Sequence, residues 1–163
     1  MSLIAAQRAL VVAEAQSWLG TPYVANQGCK GAGVDCAWIL LRVYTACGLV
    51  HVTEPVPYKS ALARLRAGEQ FYRSMIERFA VPARAAAQPG DIVLFRVPVT
   101  AGDRVVISRV THGAIVEAWP TVIHAYSPAG AVVRSHLEQD APLAAMLDSL
   151  WTLPAWAAAE EAA

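Results

Sequence analysis

Residues 36–47, CAWILLRVYTAC, hold a single charge, Arg42, and present apolar side chains on nearly every face. A helix that is apolar all round has to be covered on all sides. A chain carrying this segment is therefore built around a central, buried helix. Asp35 stands where an N-cap belongs, and Gly48 where a helix ends in the left-handed conformation. The rest of the chain can supply the cover: its 163 residues are 56% hydrophobic and only 16% charged, enough for one compact domain spanning 1–163.

The segments before the helix read as helix and loop. Leu3, Ala6, Leu10, Ala13 and Leu19 recur at near-helical spacing, predicting a helix over 3–19 that Gly20 and Pro22 stop. The stretch 21–34, TPYVANQGCKGAGV, is a Gly-rich polar loop. Between Pro55 and Pro82 the pattern turns amphipathic, predicting one or two surface helices. The second half changes period. After the turn Gln88-Pro89-Gly90-Asp91, short strands are expected at 92–97, 111–117, 121–126 and 131–135, parted by Trp119-Pro120 and Ser127-Pro128-Ala129-Gly130. Residues 98–110 form a partly charged excursion in which Val105-Val106-Ile107 can add a strand. Helices followed by strands predict an α+β domain, a central helix packed on an antiparallel sheet.

Several function classes are disfavoured. Lys+Arg and Asp+Glu number 13 each with no basic stripe, so nucleic acid is not the expected partner. No run reaches the roughly 18 apolar residues of a membrane span, so membrane insertion is not expected. Arg8 and Glu14 interrupt the apolar N-terminus, and Trp18-Leu19-Gly20 lacks a small-residue cleavage site. No signal peptide is expected, and the chain would be made and folded in the cytoplasm. Three cysteines do not make a disulfide framework, and Cys29 and Cys36 are too far apart for short metal-ligand spacing. No metal or cofactor is expected.

Cys36 opens the buried helix, where unpaired backbone N–H groups and the helix dipole favour a thiolate, the nucleophilic form of cysteine. A buried structural cysteine is the alternative reading. Cys47 lies at the negative end of the same helix and reads as core; Cys29 lies in the loop. A nucleophilic thiol needs a base, and the base needs an orienting group. His112 opens one predicted strand and His124 closes the next. If the two strands pair through Trp119-Pro120, the imidazoles lie side by side on one sheet face, one taking the thiol proton and the other fixing its tautomer. Two hydrogen-bonded structural histidines are the alternative. His51 and His136 have no neighbouring motif and read as structural.

Residues Gly20-Thr21-Pro22-Tyr23, Lys30-Gly31, Gly33 and Asp35-Cys36 resemble the nucleophile segment of the NlpC-type, papain-like cell-wall cysteine peptidases. Pro89 to Phe95 is similar to that family's first strand, Thr111-His112-Gly113-Ala114-Ile115 to its base strand, and Ile123-His124-Ala125 to its third catalytic position. The order is the family's, and the matches span residues 18–127. Lys30 to Cys36, Pro55-Val56-Pro57-Tyr58 and His124-Ala125-Tyr126 are most similar to the phage-tail and prophage subgroup.

The resemblance implies a papain-like domain in which Cys36, His112 and His124 hydrolyse peptidoglycan stem peptides, typically after γ-D-glutamate at the bond to a diamino acid. It implies a substrate or oxyanion role for Tyr23, with Asp35 and Trp38 beside it among the substrate or oxyanion groups. It also implies delivery to the cell wall, with phage tail-tip proteins as partners. Ala37-Trp38 replace the Ser-Gly frequent after Asp-Cys, and Val24 to Gln27 replace a frequent Trp-Gly-Gly. The loop 21–34 and Trp38 are expected to wall a narrow cleft. An amidase or acyltransferase with the same dyad, and a non-catalytic tail module, are the competing functions.

Overall fold

The computed structural model describes residues 2–51 and 72–162. Most of the amphipathic stretch expected between Pro55 and Pro82 lies outside the described residues. A helix whose described part is 72–77 (α3) ends it.

The central helix is α2, Cys36–Ala46, and its ends are made as the flanking residues require. Asp35 Oδ1 accepts the Ala37 and Trp38 N–H groups, both at 3.0 Å. At the other end Gly48, at φ +68°, reverses the chain, so that Gly48 N–H reaches the Thr45 carbonyl and Leu49 N–H the Tyr44 carbonyl. That is a Schellman closure, and it needs the positive φ that glycine adopts without strain. Seven of the eleven helix residues are buried, which is the cover that an all-round apolar helix demands.

Helix α1 is Leu3–Gln16, capped by Ser2, but its inward face is not the Leu3, Ala6, Leu10, Ala13 stripe. Leu3 and Leu10 are 75% and 51% exposed, while Arg8, Val11 and Ala15 are buried. The reason is electrostatic. Arg8 turns inward because Asp91 Oδ1 and Glu160 Oε1 wait for its guanidinium at 2.8 and 2.7 Å, and its planar end lies 4.3 Å from the centre of the Trp156 ring.

Among the described residues, six strands form one antiparallel sheet in the order β3-β8-β4-β5-β6-β7. They are β3 (Val81–Pro82), β4 (Ile92–Ala101), β5 (Arg104–Ala118), β6 (Thr121–Tyr126), β7 (Ala131–His136) and β8 (Leu147–Thr152). Two further strands, β1 (Gly28–Cys29) and β2 (Gly33–Val34), pair as a ribbon within the loop before α2. The strands expected at 92–97 and 111–117 are halves of one long hairpin, and the excursion at 98–110 is its outer part, turning at Gly102.

β8 and two helices, α4 (Ala141–Ala145) and α5 (Pro154–Glu161), lie where the sequence reading assigned no element. One sheet face packs on α1, α2 and α3 through Ile92, Leu94, Ile115 and Ile123. The other buries Val93, Phe95, Ala114, Val116 and Val122 under Leu137 and Leu143.

Candidate active site

The β4–β5 ladder slips twice, and at the slip nearer the helices Phe95 pairs with His112 but Arg96 with Val110. Thr111 is the extra residue of this bulge. A bulge leaves a backbone group out of the ladder and re-aims its neighbours. Here the Thr111 carbonyl accepts the Cys36 thiol at 3.7 Å. The first residue of α2 and the bulge of β5 therefore meet at one point.

Tyr72, fully buried, holds the same junction from α3: its hydroxyl donates to the Cys36 carbonyl at 3.0 Å. A Cβ on Gly113 would stand 2.8 Å from that hydroxyl and 3.0 Å from Leu40, so only glycine lets β5 come this close. Neither Tyr72 nor Thr111 was singled out from the sequence. Tyr72 carries no motif, and a bulge shows itself only once the register is known.

His112 and His124 sit on neighbouring strands of the hairpin closed at Trp119-Pro120. With Ile115 opposite Ile123, the register sets His112 level with Tyr126 and one diagonal step from His124, within reach for long side chains. His112 Nε2 and His124 Nδ1 are 2.7 Å apart, and His124 Nε2 is 2.9 Å from Ser135 Oγ on β7. Tyr126 stacks on His124 at 4.7 Å between ring centres, with 17° between the planes. Ser135 was likewise not anticipated from the sequence.

Burial pushes the His124 imidazole down from 6.5 to about 4, with Asp140 pulling weakly the other way. At neutral pH the ring is an uncharged hydrogen-bonding group. The unfolded state binds the proton first, so the contribution to stability is intact above pH 6.5 and is lost as pH falls towards 4. The size is about 3 kcal/mol for a shift of this order. Urea unfolding is expected to show wild type losing stability across that window more steeply than His124→Gln. Parallel profiles would mean that His124 takes up its proton as readily in the folded state as in the unfolded one.

A cavity of about 300 Å³ opens beside these groups, lined by Cys36, Thr111, His112 and Tyr23 together with Tyr126, Leu143 and Met146. Tyr23 is held there by its own N–H, which donates to the Gly130 carbonyl at 2.8 Å. Asp35 and Trp38, expected among the substrate or oxyanion groups, are placed elsewhere. Asp35 is fully buried and spends both carboxylate oxygens on backbone N–H groups, Oδ2 taking that of Asn26 at 2.6 Å. Trp38 packs on Gly28, lies 4.7 Å from the Arg42 guanidinium, and supports the loop from behind rather than walling the cavity. Cys29 is exposed in the loop. Burial, with Glu14 nearby, pushes the Cys47 thiol up to about 11. Among the described residues no three His, Cys, Asp or Glu side chains converge as metal ligands would.

The α+β layering, a central helix packed on an antiparallel sheet, is papain-like, and solved structures share this fold. The NlpC/p60 domain of the peptidoglycan hydrolase SagA superposes with a TM-score of 0.54 at 21% identity, over 90% of this chain and 98% of that one. NlpC1 of Trichomonas vaginalis gives 0.58 at 18% identity over 90% of this chain. An NLP/P60-family protein similar to lipoprotein, from Staphylococcus aureus, gives 0.58 at 20% over 91%. The chain spans 45% and 41% of the latter two. No family model and no curated protein matches the sequence. The fold is that of the NlpC/p60 domains.

Proposed function

We propose that the protein is a cysteine peptidase of the NlpC/p60 kind that cuts stem peptides of peptidoglycan. One observation carries the reading. A single cavity holds a thiol at a helix N-terminus and an imidazole whose far nitrogen is tied to a second, neutral imidazole. Pairing of His112 Nε2 with His124 directs Nδ1 to proton exchange with the thiol. Cys36 transfers its proton to His112 and attacks the scissile carbonyl. The oxyanion is met by the Cys36 backbone N–H and by the Tyr23 hydroxyl, the next two N–H groups of α2 being held by Asp35. Collapse gives a thioester while His112 protonates the departing amine, and water then attacks with His112 as base. The bond after γ-D-glutamate leading to a diamino acid is the proposed target. The solved NlpC/p60 neighbours support this substrate class, one of them being named a peptidoglycan hydrolase.

A phage or prophage origin rests on the subgroup resemblance of residues 30–36, 55–58 and 124–126 alone, of which 55–58 lie outside the described residues. On that reading the protein is made in the cytoplasm, rides with tail-tip proteins and acts at the cell wall. A second reading, an amidase or acyltransferase using the same dyad, is favoured by the apolar walls that Val97, Pro128, Leu143 and Met146 give the cavity.

Mass spectrometry of purified muropeptides after incubation with wild type and Cys36→Ala separates these readings. The expected product carries a new free amine on the diamino acid, with the glycan strand uncut and no product from Cys36→Ala. New reducing sugar ends, or digestion of unfolded proteins with muropeptides untouched, would overturn the peptidoglycan reading. Deacylation of simple apolar esters with muropeptides untouched would favour the second.

A further inference from the structure

We propose that Ser135 is a positioning residue that closes a proton-ordering chain, holding His124 in the tautomer that leaves His112 able to accept the Cys36 proton. The inference rests on the reading of Cys36 and His112 given above. Its footing is geometric: His112 Nε2, His124 Nδ1, His124 Nε2 and Ser135 Oγ follow one another at 2.7 and 2.9 Å across three adjacent strands.

A neutral imidazole has one donor and one acceptor nitrogen. His124 is fully buried, and burial keeps it neutral. Each short contact holds one proton, so two arrangements exist. If Ser135 donates to His124 Nε2, then His124 Nδ1–H donates to His112 Nε2. A neutral His112 then carries its own proton on Nδ1, with no lone pair to offer the thiol. If Ser135 accepts from His124 Nε2–H, the order reverses: His112 Nε2–H donates to His124 Nδ1, and His112 Nδ1 is the base. The imidazolium formed after proton transfer needs the second order too, because it has to donate from Nε2.

A serine hydroxyl supplies the acceptor this order requires. Without it His124 Nε2 would be left buried with no partner in either order, a costly state, and nothing would hold the proton on Nε2 rather than Nδ1. The stacked Tyr126 ring covers one face of the imidazole, so the ring cannot readily turn away from the choice. Ser135 pairs with Val122 and His124 with Val133 across β6 and β7, so the hydroxyl reaches the ring diagonally.

The test needs no substrate. Ring-nitrogen NMR of the resting wild-type protein is expected to show both His112 and His124 protonated on Nε2. Ser135→Ala is expected to move the His124 proton to Nδ1 in a large fraction of molecules, and to slow alkylation of Cys36 at neutral pH by roughly tenfold, the effect of one neutral hydrogen bond. Ser135→Thr and Ser135→Val, nearly equal in shape, guard against a folding defect: Thr should restore tautomer and rate, Val should not. Wild-type His124 protonated on Nδ1 would overturn the proposal. So would alanine and valine variants with wild-type tautomers and alkylation rates. Either outcome, found while His112→Ala still slows alkylation of Cys36, removes the chain and leaves the dyad standing. A failed muropeptide assay leaves this test untouched.

Discussion

His112→Ala is expected to lower turnover by about 10²-fold or more, the range for loss of a general base, and Cys36→Ala to abolish it. The expectation follows from the division of labour in the cavity. The resting thiol is parked on the Thr111 carbonyl. That contact gives its proton an acceptor but takes no proton away. Among the groups lining the cavity, His112 is the one with a nitrogen able to remove it. Stability should change little in Cys36→Ala, which leaves the shape of the site nearly intact.

The companion measurement is alkylation of each cysteine against pH. Cys47, pushed up to about 11 by burial, should be slow at neutral pH, whereas Cys36 should be the fast thiol and should slow in His112→Ala. His124→Asn or His124→Gln should retain more activity than His124→Ala, because an amide can still orient the imidazole. Full activity in His112→Ala, with loss confined to His124 variants, would mean that the base and its orienter have been exchanged.

How far the site could be read in advance depended on which contacts are local. The nucleophile's helix was legible because its boundaries are written within a few residues of it: Asp35 caps the N–H groups that follow and Gly48 closes the carbonyls that precede. The histidine pair was legible because a hairpin has a two-residue turn, and a short turn leaves few registers. Ser135 was not legible. It meets His124 only through the β6–β7 register, and that register depends on how the turn at Ser127 to Gly130 is made. Tyr72 reaches Cys36 from 36 residues away.

β8 was missed for a different reason. Its sequence LDSLWT opens a strand with Asp148 and Ser149 among its first residues, against ordinary strand preference. The structure resolves the conflict with a ladder shift. Leu94 pairs with Ser149 but Phe95 with Leu147, leaving Asp148 as the extra residue, where Arg96 and Arg73 reach it at 2.8 and 3.2 Å. Trp38 was misplaced because bulk beside a nucleophile suggested a cleft wall. The loop ribbon takes that bulk instead, with Gly28 making room for the indole.

Arg8→Met is expected to destabilise the fold by about 3–5 kcal/mol, the cost of stripping one partner from a buried ion pair. The guanidinium joins four parts of the chain. From α1 it donates to the Pro89 carbonyl at 2.9 Å, to Asp91 at 2.8 Å just ahead of β4, and to Glu160 on α5 at 2.7 Å, with Thr152 of β8 at 3.5 Å. Asp91 is 2% exposed in its side chain, so the carboxylate cannot recover its lost partner from water. It would be left with the Thr152 hydroxyl and the Gln88 N–H.

The same network accounts for the Pro89-Gly90-Asp91 sequence, which reads locally as a mere turn. The Gly90 carbonyl accepts the buried Tyr44 hydroxyl at 2.6 Å, and Asp91 anchors α1. At about 2–4 °C per kcal/mol for a domain of this size, the midpoint should fall by roughly 10 °C. Adding Asp91→Asn to Arg8→Met should return part of the loss, because the stranded charge is then gone. A drop below about 1 kcal/mol in urea unfolding, the range of an exposed pair, would show that water reaches this cluster and that α1 is held by its apolar contacts alone.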